Sequence, residues 1–233
     1  MPDIAGVLSA LVTPFTGPEA ELDAPGLREL VDRSISEGVH GLVPCGSTGE
    51  FAAMGLDERR TVVEVVIDQA RGRVPVIAHV GAMTTKDAVG LARHAEAHGA
   101  AAVMAVAPYY EPLSVTETKH YFQAVAGAIS IPVILYNLPV ATGVNLPPND
   151  VADLARSTEN IRYVKDTTGD LSQAARLIHG YGARRLGSRH SLYRMAGPRH
   201  HRSRRGHHRG LLPGLRDCPG RRRGPGARAG RHA

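Results

Sequence analysis

The chain has 233 residues, 28 lysines and arginines against 22 acidic residues, and two cysteines. That length accommodates one large domain or two small ones with a substantial core. Two cysteines as distant as Cys45 and Cys218 exclude a disulfide-stapled secreted scaffold and suit a reducing, cytoplasmic setting.

The opening run GVLSALVTPF reads as a first strand, and Asp3 stands where a signal peptide would carry positive charge. Five further apolar runs follow: VHGLVPCG from Val39, VPVIAHVG from Val74, AAVMAVAP from Ala101, IPVILYN from Ile131 and IRYVKD from Ile161. Between them lie stretches of helical period. Leu27, Leu30, Val31 and Ile35 make one apolar face, and Gly38 follows as a stop. Ser114 with Glu117 reads as a capping box and Thr84 with Asp87 as a looser one. Short apolar runs alternating with helices predict repeated βα units and a parallel sheet. No run approaches the ~20 residues of a membrane helix, so a soluble, unexported protein is expected.

From Val39 onward a strand begins roughly every 30 residues, which uses up six βα units by about residue 180. An open doubly wound sheet usually announces a Gly-rich phosphate loop after its first strand, and GVLSALVTPFTGPE has no G-x-G-x-x-G. A (β/α)₈ barrel places its chemistry at the C-terminal ends of its strands, and the polar residues here fall at those ends. The expected fold is therefore α/β, a (β/α)₈ TIM barrel cut short after about six units. Its domain covers residues 1–182, with a separate tail over 183–233.

After the second strand comes Gly46-Ser47-Thr48-Gly49-Glu50. Two glycines around two hydroxyl residues let the backbone turn tightly and aim N–H and O–H groups into one small space, which suits a carboxylate or phosphate. A plain turn into a helix would use the same residue types. Tyr136-Asn137-Leu138-Pro139 follows the fifth strand, and Lys165-Asp166-Thr167-Thr168-Gly169-Asp170 ends the sixth. Lys165 closes an apolar-rich run, where charge is costly to bury. It either snorkels and pairs with Asp166, or points into the barrel mouth, where desolvation favours the neutral amine that a Schiff base requires. In the second case a tyrosine such as Tyr136 could shuttle the protons.

In this order and at strand ends, GSTGE, PYYEP, YNLPVATG and VKDTTGD resemble the dihydrodipicolinate synthase and N-acetylneuraminate lyase family of pyruvate-dependent class I aldolases, over residues 4 to about 182. The resemblance implies that Lys165 forms the Schiff base with pyruvate, that Tyr136 relays protons, and that Ser47 and Thr48, with Gly49 in the same turn, hold the carboxylate. It implies that Tyr110 reaches into a neighbouring subunit's site in a homo-oligomer, a dimer or tetramer. The substrates are then a small 2-keto acid and an aldehyde, with neither cofactor nor metal required. One departure narrows this. Synthases of the lysine pathway usually carry Arg between the YNxP motif and the following Thr-Gly, where it gathers the carboxylate of the aldehyde, and this chain has Ala141. A methyl group cannot replace a bidentate cation, so another aldolase or lyase activity is expected.

Charge divides the chain. Residues 1–182 carry 13 basic and 21 acidic side chains, whereas residues 183–233 carry 15 arginines, no lysine and the single acid Asp217. A seventh strand belongs near residues 187–197, yet LGSRHSLYRMAG offers no apolar run. A functional basic tail, a disordered linker and a frame error in a GC-rich gene compete here. Codon arithmetic favours the last, because Arg without Lys among Gly, Pro, Ala and His is what G- and C-rich codons yield out of frame. Such a chain is expected to leave its barrel open, with Val7 and Val164 partly exposed, and to show little or no lyase activity as written, recovered when the shifted frame is restored. The rival function is polyanion or nucleic-acid binding through the arginines. The tail has one Tyr, no Phe or Trp for stacking and no recognisable recognition helix, and Cys218 with scattered histidines makes a poor zinc site.

Overall fold

The six apolar runs form six parallel strands in a computed structural model that describes residues 4–181. The expected seventh strand and the 183–233 tail lie outside the described residues. β1 (Leu8–Ala10) leads through a small antiparallel hairpin, β2 (Phe15–Thr16) with β3 (Glu21–Leu22), into α1 (Ala24–Ser36). Then follow β4 (Gly41–Val43), two 3₁₀ turns (Ser47–Gly49 and Phe51–Ala53) and α2 (Leu56–Ala70). The next units are β5 (Ile77–His79) with α3 (Thr85–Ala97), and β6 (Ala102–Val106) with α4 (Val115–Gly127). β7 (Val133–Asn137) is followed by the short α5 (Pro139–Thr142) and by α6 (Pro148–Ser157). β8 (Ile161–Asp166) precedes α7 (Leu171–Arg176).

Parallel pairing runs in chain order. β1 lies beside β4, and β5, β6, β7 and β8 are paired consecutively. A bridge between Leu42 and Val76 joins the two groups, helped by the Leu42 N–H donating to the Pro75 carbonyl at 3.0 Å. The helices form an outer layer in which α1 packs on α2, α2 on α3 and α3 on α4. This is the βα repeat that the apolar runs predict, with β6 and β7 buried along their whole length as strands covered on both faces should be.

The helix signals hold at named atoms. The Ser114 hydroxyl accepts from the Glu117 N–H at 3.2 Å, while the Glu117 carboxylate accepts from the Ser114 N–H at 2.9 Å. Thr84 accepts from the Asp87 N–H at 3.1 Å but receives no reciprocal backbone contact; its hydroxyl instead donates to the Asp87 carboxylate at 2.7 Å. Leu27 and Val31 are wholly buried, Leu30 and Ile35 pack at the core's margin, and Gly38 takes φ +86° just past the end of α1.

Burial falls at both margins of the strand run. Val7 is 63% exposed, and Val164 is half-buried on a strand where only Ile161 is fully covered. Among the described residues no strand pairs with the outer edge of β1 or β8. No helix among them is long and apolar enough to cross a membrane.

Candidate active site

The parallel register places Tyr136 opposite Lys165, one residue before the C-terminal end of each strand. β7 and β8 therefore set the pair side by side without help from any loop. The Lys165 Nζ lies 3.9 Å from the centre of the Tyr136 ring. Asp166, the alternative partner, is committed elsewhere: its carboxylate accepts from the Thr168 N–H at 3.2 Å and from the Thr168 hydroxyl at 3.1 Å. Among the described residues no carboxylate pairs with Lys165. Burial alone then lowers its pKa from the ordinary lysine value to about 8, because the charged form has lost water and gained no counter-ion.

Burial also raises the pKa of Tyr136, opposed by hydrogen bonds with Ser47 and Thr167. The phenol, the Ser47 hydroxyl and the Thr167 hydroxyl are thus one connected group beside the amine. Thr167 is held in place because its hydroxyl donates to the Asn137 carbonyl at 3.0 Å.

Ser47 opens the first 3₁₀ turn, which is flanked by Cys45 at φ +56° and Glu50 at φ +57°. The Gly49 N–H donates to Gly46 and the Glu50 N–H to Ser47, so these two donors are used within the turn. The N–H groups of Ser47 and Thr48 have no backbone acceptor among the described residues. A side chain at Gly49 would bring its Cβ to 3.0 Å from the Leu11 carbonyl oxygen and 3.2 Å from the Thr13 hydroxyl. Glycine there lets the turn lie against the chain leaving β1, where the Thr13 hydroxyl donates to the Gly49 carbonyl at 2.8 Å. This turn does not run directly into a helix, since a second turn intervenes before α2.

A cavity of about 230 Å³ adjoins this group and shares Ser47 with it. Phe51, Val106, Tyr109, Leu138 and Ala141 form most of its wall, with Glu50 the one charged side chain. Ala141 lies on α5, so the position where the motif usually carries arginine faces the cavity with a methyl group. Tyr110 is 80% exposed and does not line it, whereas its neighbour Tyr109 does.

Several residues behind the site escape the sequence reading. His79, at the end of β5, is wholly buried; its ring lies 4.4 Å from Phe51 and 6.5 Å from Tyr136, and among the described residues neither ring nitrogen has a partner at hydrogen-bond geometry, the Cys45 backbone being a polar influence that favours the charged ring. Burial first, then the Arg59 and Lys165 charges, hold its pKa well below the ordinary histidine value, so it is a neutral wall. Arg59 is also buried, donates to the His79 carbonyl at 3.0 Å and stacks over Phe51 at 5.1 Å. Asn137 and Asp170, both inside the recognised motifs, do structural work. Asn137 donates to Asn145 at 2.8 Å and accepts from the Leu146 N–H at 3.1 Å, which fixes the loop after α5. Asp170 caps α7 by accepting from the Ser172 N–H at 2.8 Å.

Known proteins resemble this chain in sequence and in fold. The sequence profile of the Dihydrodipicolinate synthetase family matches residues 3–187. A 4-hydroxy-tetrahydrodipicolinate synthase from Methanopyrus kandleri is 42% identical over 175 residues, which are 75% of this chain and 58% of the relative. Its counterpart from Nitrobacter hamburgensis is 46% identical over 177 residues, 76% of this chain and 59% of the relative. The chain thus spans somewhat less than two thirds of the length of these relatives. Among solved structures, a dihydrodipicolinate synthase from Aquifex aeolicus superposes with a TM-score of 0.74 at 33% identity, over 80% of this chain and 61% of that one. A prophage protein of the dihydrodipicolinic acid synthase family from E. coli K12, solved in complex with pyruvate, gives 0.73 at 36% identity, over 76% of this chain and 59% of that one. The six βα units are accordingly part of the (β/α)₈ TIM-barrel fold, and the chain belongs to the dihydrodipicolinate synthetase family, a family of pyruvate-dependent class I aldolases.

Proposed function

We propose that this chain carries the Schiff-base site of a carbon–carbon lyase or aldolase that acts on pyruvate or a related 2-keto acid. The observation that carries the reading is Lys165: a desolvated amine with no carboxylate partner among the described residues, beside a tyrosine whose hydroxyl is bonded to Ser47 and Thr167. The neutral amine adds to the keto carbon, and the resulting carbinolamine loses its oxygen as water to give the iminium. Tyr136 and Ser47 pass the protons that this exchange requires. The hydroxyls and open N–H groups of Ser47 and Thr48 receive the substrate carboxylate, with Gly49 keeping the turn tight. The iminium draws electrons from the adjacent C–H bond, and the proton leaves through the same relay. The enamine carbon then attacks an aldehyde carbonyl, whose oxygen takes up a proton. Water hydrolyses the imine and restores the amine; lyase turnover runs the carbon–carbon step in reverse.

Only the neutral amine is nucleophilic. The rate of imine formation with pyruvate should therefore climb as pH rises toward about 8 and level off above it. A lysine at its ordinary pKa would instead give a rate still climbing beyond pH 9. A flat profile across this range would show that the reacting amine is not Lys165 in its buried setting.

Ala141 and the apolar wall beside it favour an aldehyde that carries no carboxylate at that end. Aspartate semialdehyde should be a poor partner, and Ala141→Arg should raise its kcat/KM by about tenfold or more, the worth of one charge-assisted hydrogen bond. Efficient condensation by the unaltered chain would contradict this reading of Ala141. Exposure of Tyr110 next to the cavity-lining Tyr109 supports its placement in a second subunit's site, in a homo-oligomer.

A further inference from the structure

Away from the strand ends, on the helical layer, α2 and α3 bring three metal-ligating side chains together. His94 and His98 stand one helical turn apart on α3 and its C-cap, hence on one face, and Glu64 reaches them from α2. The His94 Nε2 lies 2.8 Å from the Glu64 Oε1, and the His98 Nε2 lies 3.7 Å from the same oxygen. All three donor atoms fall within 4.8 Å of one another. A tetrahedral ion with bonds of about 2.0–2.1 Å holds its donors roughly 3.3 Å apart, a value between the two observed separations.

The tautomer of His98 supplies a second, independent argument. Its Nδ1 lies 2.8 Å from the His94 carbonyl oxygen, which can only accept, so Nδ1 carries the proton. In the neutral ring Nε2 then turns a lone pair toward the Glu64 carboxylate. With the ring neutral, two acceptors face one another across 3.7 Å, and a cation between them would turn that opposition into two bonds. Anchoring of the distal ring nitrogen on a backbone carbonyl is also how metal-bound histidines are commonly oriented.

We propose that Glu64, His94 and His98 bind one divalent transition-metal ion of the zinc, nickel and copper series. Two imidazoles and a carboxylate suit these ions and offer too few oxygens for calcium or magnesium. On binding, the proton shared between His94 Nε2 and Glu64 moves to the other ring nitrogen, so both histidines present lone pairs. The partial exposure of Glu64 and His98 leaves room for water to complete the shell. The ion would link α2 to α3.

Because the tail carries six further histidines, the test must read individual residues. The full chain is treated with diethyl pyrocarbonate with and without zinc, and acylation of each histidine is followed by peptide mass, with the exposed His120 as internal reference. Zinc should slow acylation of His94 and His98 together by about tenfold or more, with one midpoint, and leave His120 unchanged; EDTA should reverse it. Glu64→Gln and His98→Asn, both at partly exposed positions, should each move the His94 protection midpoint to at least about tenfold higher zinc. Unchanged acylation, protection of one histidine alone, or a His94 midpoint indifferent to both substitutions would overturn the site.

Discussion

With the reading frame restored and the barrel complete, Lys165→Ala should leave no reducible adduct with pyruvate and should cut turnover by more than the about 10²–10⁴-fold that acid–base help alone contributes. On the proposed mechanism the substitution removes the amine that forms the covalent bond with the keto carbon. It should do so without unfolding the protein, because β7 and β8 remain joined through Leu135 with Val164 and Asn137 with Asp166. Lys165→Arg separates charge from chemistry. The guanidinium keeps a cation over the Tyr136 ring but stays protonated at every accessible pH and cannot form the imine. Both variants should therefore be equally silent in borohydride trapping. Turnover by either within tenfold of the parent would place the chemistry on another group.

In the same frame-restored protein, Tyr136→Phe should lower kcat by about 10²–10⁴-fold while pyruvate affinity changes little. The phenyl ring still lies beneath the amine, so the desolvation that lowers the Lys165 pKa persists. What is lost is the hydroxyl that joins Ser47 and Thr167, and with it the proposed path by which protons reach the carbinolamine oxygen and leave the carbon next to the imine. The signature is a kcat effect with a nearly unchanged KM. An undiminished kcat would show that protons travel by another route.

The fold was legible where burial is simple. AVMAV and VILYN are apolar throughout because both faces of a central parallel strand are covered, and such runs need no partner information to be read. Lys165 was legible for the opposite reason, as a charge ending an apolar run, although the sequence left open whether Asp166 would neutralise it. The structure shows no ion pair between them among the described residues, with Asp166 instead accepting hydrogen bonds from Thr168. Arg59 was not legible: in LDERRTVVEVVIDQA it reads as one of two surface arginines, and its burial depends on Phe51 and the His79 carbonyl, both brought to it by tertiary packing. The same holds for the division of labour between Tyr109 and Tyr110. Neighbouring residues in the loop after β6 face different ways, and tertiary packing decides that Tyr109 lines the cavity while Tyr110 is exposed. Asn137 and Asp170 stand inside motifs read for chemistry, yet their side chains are taken up by loop and helix-cap hydrogen bonds.

The chain has only three lysines, and their environments differ sharply. Lys119 is paired with Asp150 at 3.0 Å, Lys86 is exposed on the first turn of α3, and Lys165 is desolvated beside Tyr136. Reduction with borohydride in the presence of pyruvate, followed by peptide mass mapping of all three, therefore tests the Schiff-base reading most directly. One reduced adduct per chain, confined to Lys165, is the predicted result. Adducts spread over Lys86 and Lys119, or none at Lys165 while the fold is intact, would contradict it.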